Sequence, residues 1–107
     1  MKQTILFSLI TLSASAFSAD RSIVCGDHWF KVTAEWTKGS TQAKVNFSGD
    51  SQPNRSEISA TVNEAGKQIV VLFNDKIGGE LRLENGDGTI KESKSGDAAN
   101  IAPCHVN

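Results

Sequence analysis

The sequence predicts a small all-β domain: an antiparallel barrel or sandwich of seven to eight strands, with the N- and C-terminal strands joined by a Cys25–Cys104 disulfide. Three observations carry this. Apolar and polar residues alternate at period two in one window after another, the signature of strands with one buried face. The windows recur at the roughly 8–12-residue spacing, with turn residues between, that marks sandwiches and barrels. The chain has only two cysteines, one near each end of the predicted domain.

Residues 1–19 are predicted to be a secretory signal peptide. A short n-region bearing Lys2 precedes an apolar run from Ile5 to Leu12, and small residues follow up to Ala19. The apolar run falls short of the roughly 20 residues a membrane span requires. The lightly charged leader is of bacterial type, so the chain is expected to be periplasmic or secreted after cleavage between Ala16 and Asp20. Asp20 and Arg21 intervene before Cys25, and Val24 precedes it, which does not fit a lipid-anchored cysteine. Residues 20–107 then form one β domain. An oxidising compartment makes one disulfide the simplest use of two cysteines. Closing so long a loop contributes roughly 4–5 kcal/mol in the chain-entropy account.

In chain order, Ile23-Val24-Cys25 is a short first strand and Gly26-Asp27 a bend. Residues 29–36 form the second strand, with Phe30, Val32, Ala34 and Trp36 facing inward and Trp29, Lys31, Thr33 and Glu35 outward. Thr37 to Ser40 turn the chain, and Ala43, Val45 and Phe47 mark the inner face of a third strand. Residues 49–56, rich in Gly, Pro and Asn and without an apolar residue, form an exposed loop. Ile58, Ala60 and Val62 face inward on the next strand, and Asn63-Glu64-Ala65-Gly66 turns back. Residues 69–73 (Ile-Val-Val-Leu-Phe) are unbroken apolar and predict a strand covered on both faces. A loop over residues 74–79 leads to a strand with Leu81 and Leu83 inward. Asn85-Gly86 is the strongest hairpin signal, since both positions of such a turn need positive φ. Thr89 to Lys94 return as a polar edge strand, and residues 101–104 pair with the first strand.

Composition excludes some partners. The formal net charge is −1, and one unit more negative without Lys2, so there is no basic field for nucleic acid and no polybasic patch for a membrane. No Gly-x-Ser-x-Gly elbow and no phosphate-cradling glycine loop is present, and no enzyme activity is expected. No cofactor is expected either. The only weak candidates for metal ligands are Asp27, His28 and His105, which flank the two cysteines. Two isolated cysteines lack the paired spacing of a zinc site, and histidines near chain ends are commonly plain surface residues. Asn85, Asp87 and Gly88 fail as a calcium loop because Leu83 and Lys94 fall where carboxylates are required. Paired acids such as Glu80 and Glu84 read as a solvent face.

An exported β chain of this size, with one cysteine in the first strand and another at the C-terminus, is similar to the small periplasmic inhibitors of C-type lysozyme. The resemblance implies an eight-stranded antiparallel barrel that blocks a lysozyme active site with an exposed loop. Of that family's Ser-Gly-x-x-Tyr motif this chain keeps only Ser48-Gly49, within Ser48-Gly49-Asp50-Ser51-Gln52. It has no tyrosine, so no inhibitory residue is carried over.

The functional expectation is an exported binding protein, an inhibitor or immunity-type protein acting on another protein such as a lysozyme or other exported hydrolase. Loops on rigid scaffolds commonly carry binding. The candidate partner-binding residues are therefore Gly49, Asp50, Ser51, Gln52, Asn54 and Arg55 in one loop and Asp75 and Lys76 in another, together with Trp29. An exposed tryptophan can anchor an interface, although it can also cover a barrel end. The alternatives are a carrier of a small ligand or metal, and a structural component of the envelope.

Overall fold

A computed structural model describes residues 19–51 and 55–107. The predicted leader, apart from Ala19, lies outside the described residues, as do Gln52 and Asn54. The described residues form nine strands, not seven to eight: β1 (Arg21–Gly26), β2 (Lys31–Trp36), β3 (Gln42–Ser48), β4 (Ile58–Ala65), β5 (Gln68–Phe73), β6 (Glu80–Glu84), β7 (Asp87–Lys91), β8 (Ala99–Ile101) and β9 (Cys104–Val106). Each strand from β1 to β7 pairs antiparallel with the next, and β9 pairs antiparallel with β1.

The sheet order places β8 and β9 at its two edges, yet only Ala102 and Pro103 separate them in sequence. One run of chain thus lies on β7 with its first half and on β1 with its second, curling the sheet into a nearly closed barrel. This is the source of the extra strand. Pro103 has no N–H to give a ladder and breaks the run in two; the Ala102–Pro103 bond is cis. The expected pairing of residues 101–104 with the first strand is corrected accordingly. Ile101 lies opposite Gly88 of β7, and only β9 lies on β1. Cys25 stands directly opposite Cys104, and their disulfide encloses a separation of 79 residues.

Alternation holds along every long strand. Ile23, Val32, Trp36, Val45, Val71 and Leu81 are almost completely buried, and no polar or charged residue is buried among the described residues. The interior is filled by side chains. Two elements depart from expectation. β5 is covered on one face only: Val71 is fully buried, but Leu72 is 45% exposed on the outer wall. An unbroken apolar run cannot separate a two-faced strand from a one-faced strand with an apolar outer side. β4 runs on through Asn63, Glu64 and Ala65, so the turn is only Gly66-Lys67 and Glu64 lies on an inward-facing register position. The Asn85-Gly86 turn is as predicted, with φ of 53° and 89°.

The connections sort to two ends. Tight turns at residues 37–41, 66–67 and 85–86 form one end, where β1 starts and β9 finishes. Longer loops at residues 27–30, 74–79 and 92–98, with residues 49–51 and 55–57, form the other.

Candidate functional site

The loop end is built outward from two aspartates. Asp27 Oδ1 accepts hydrogen bonds from the backbone N–H groups of Trp29 (3.0 Å) and Phe30 (3.2 Å), while the Asp27 N–H donates to the Phe30 carbonyl (3.0 Å). These amide donors hold the Asp27 carboxyl below the ordinary carboxylate range. The bend they make turns Phe30 toward Phe47, ring centroids 6.1 Å apart, and leaves Trp29 58% exposed. Trp29 therefore precedes the strand rather than lying on its outer face, as its place in the alternation suggested.

The next loop clamps this bend. The Asp50 N–H donates to the His28 carbonyl (3.1 Å), and the Ser51 N–H and hydroxyl both donate to the Trp29 carbonyl (2.9 and 2.8 Å). Gly49 makes the approach possible. Its φ is +116°, and a Cβ there would sit 2.5 Å from the Trp29 carbonyl oxygen.

Asp75 organises the other half. Its carboxylate accepts from both Arg55 (2.8 and 3.0 Å) and the Gly78 N–H (2.8 Å), and the arginine partner holds its carboxyl low. The Arg55 guanidinium also donates to the Glu92 carbonyl (3.0 Å) and stacks 4.9 Å from the Phe47 ring centroid and 5.9 Å from that of Phe73. Its side chain is only 13% exposed. Arg55 thus plugs the barrel end and ties three loops together. Ile77, in the same loop as Asp75, is 48% exposed, and its carbonyl accepts from the Lys94 N–H (2.9 Å).

Against protein-family models, curated proteins and solved structures, the chain finds no match. The site therefore stands on its own geometry.

Of the sequence-predicted residues, Trp29, Gly49, Asp50 and Ser51 come together in one hydrogen-bonded unit, and Lys76 lies exposed in the 74–79 loop at the same end. Arg55 and Asp75 meet, but as an internal brace for the loops rather than as free surface groups. Asp27, His28 and His105 are not gathered into a metal-ligand cluster. The Asp27 carboxylate is taken up by amides, His105 sits opposite Val24 on the β1–β9 ladder, and the described residues hold no group of three potential ligands. Sequence reasoning missed Ile77. Its signal was a lone large apolar residue inside a loop of Asn, Asp, Lys and Gly. The arrangement presents two apolar side chains, Trp29 and Ile77, on loops whose backbone is already fixed.

Proposed function

We propose that the protein is an exported binding module that docks on a partner protein through its loop end. In this reading it is an inhibitor or immunity-type protein of an enzyme such as a lysozyme or other cell-wall hydrolase. The observation that carries the reading is Trp29, 58% exposed on a bend clamped by Asp27 and Ser51. Loops ordered in advance lose less conformational freedom on association, and tryptophan is enriched among the residues that anchor interfaces. The disulfide is compatible with export, because such bonds persist in oxidising compartments. Among the described residues no helix is long and apolar enough to cross a membrane. The choice of a hydrolase as partner rests on the resemblance in strand layout and cysteine placement. The interior is filled by apolar side chains, so a carrier function would have to use the barrel mouth.

The test is capture from a periplasmic extract, followed by assays of lysozyme and other wall hydrolases with the captured enzyme. The wild-type chain should retain a hydrolase and inhibit it. Trp29→Ala should weaken binding about 30-fold, equivalent to roughly 2 kcal/mol, with an unchanged melting temperature. No captured enzyme and no inhibition would remove the proposal, as would full activity of Trp29→Ala.

A further inference from the structure

The turn end holds a second feature, independent of the loop end. Arg21 and Glu64 occupy inward register positions at the barrel mouth and form an ion pair there. The Arg21 guanidinium lies 5.8 Å from the Trp36 ring centroid, and Trp36 Nε1 donates to Glu64 Oε1 (3.2 Å). This pair lids the mouth on the β1–β4 side. On the other side Ile69 and Leu83 stand side by side in register at the rim, and Val106 of β9 is 40% exposed. The next position after Leu83 in that rung is Gly88, which contributes no side chain. A cleft of about 350 Å³ results, walled by these apolar residues and by Lys67, Asn85 and Gly86.

The polar groups of the cleft are unequal. The Glu64 carboxylate is engaged by Arg21 and Trp36. The Lys67 ammonium has no counter-ion among the described residues, so the cleft carries one positive charge in excess. A backbone donor adds to it. Ser22 and Asn107 exchange two hydrogen bonds (3.1 and 2.9 Å), and antiparallel pairing alternates, so the Val106 N–H and C=O point away from β1. No strand lies on that side of β9, where Asn85 and Gly86 form the opposite wall.

We propose that this cleft binds a small amphipathic carboxylate. The apolar chain lies on Ile69, Leu83 and Val106, and the carboxylate takes hydrogen bonds from the Lys67 ammonium and the Val106 N–H. The volume is at the small end of ligand sites, which span roughly 300–1,000 Å³, so a short-chain acid fits and a long-chain lipid does not. The occupant approaches from the turn end and leaves the Trp29 face free.

The test is amide NMR titration of the intact, disulfide-bonded protein with octanoate, with octyltrimethylammonium and 1-octanol as controls, all below aggregation. Octanoate should shift the Val106, Asn85 and Gly86 amides saturably, with a dissociation constant on the order of a millimolar or below. The Trp29 indole signal should not move. Lys67→Glu should weaken octanoate at least tenfold without changing the melting temperature, and Lys67→Arg should retain binding. Absence of saturable shifts would overturn the proposal. So would equal affinity for either control, or full affinity in Lys67→Glu.

Discussion

At the scale of single residues, the two arginines define how the barrel is finished. Arg55 lies over Phe47 and Phe73 at the loop end, and Arg21 over Trp36 at the turn end, each held by a carboxylate. The Arg55–Asp75 pair has a testable pH signature. Arg55 holds the folded-state pKa of Asp75 below its unfolded value, so between the two values the native chain binds fewer protons and stability rises with pH. The contribution is complete above about pH 5 and is lost as pH falls through the folded value. Urea midpoints of Asp75→Asn should lie below wild type at pH 7 and converge on it toward pH 2. A gap of constant size across that range would refute the assignment. Neither arginine's role was legible in the sequence. Period-two alternation identifies apolar inward positions, and it is silent on a loop arginine that folds back or a strand-end arginine that turns inward. The exposure of Trp29 was legible, although the reason was not: the cause is the Asp27 bend, not a place on a strand's outer face.

At the scale of elements, the contact between β7 and the disulfide is a tight constraint. A Cβ added at Gly88 would lie 2.5 Å from Cys104 Sγ and 2.9 Å from the Ile101 carbonyl oxygen. Gly88→Ala should therefore cost about 1–3 kcal/mol through overpacking, read as a lower urea midpoint at unchanged m-value. A neutral substitution would mean that β8 and β9 move freely against β7. The strands with two or more alternating apolar residues were all legible, as was the Asn85-Gly86 hairpin. β8 and β9 were not. Each has three residues, too few to show a period, and the break at Pro103 assigns them to opposite edges of the sheet. The far end of β4 was missed because Asn63 and Glu64 resemble turn residues, whereas Glu64 is satisfied by Arg21 and Trp36.

At the scale of the whole molecule, the disulfide bridges the only neighbouring strands brought together from opposite ends of the described chain. Replacing both cysteines, Cys25→Ala with Cys104→Ala, should cost about 4 kcal/mol, for the crosslink restricts the unfolded chain across 79 residues. For a domain of this size that is a fall in melting temperature of roughly 15–30 °C. Calorimetry of the double variant measures it, and a change of only a degree or two would show that β1 and β9 hold together without the bond. The pairing of the cysteines and the neighbouring of first and last strands were both legible. The division into a braced loop end and a clefted turn end was not, because it depends on which side chains the closed barrel leaves uncovered.

The reciprocal hydrogen bonds between Ser22 and Asn107 place the start of β1 and the last residue side by side at the turn end. A matrix, fluorophore or fused domain coupled at either of these points would hold the molecule like a bottle by its base, with Trp29 and Ile77 uppermost.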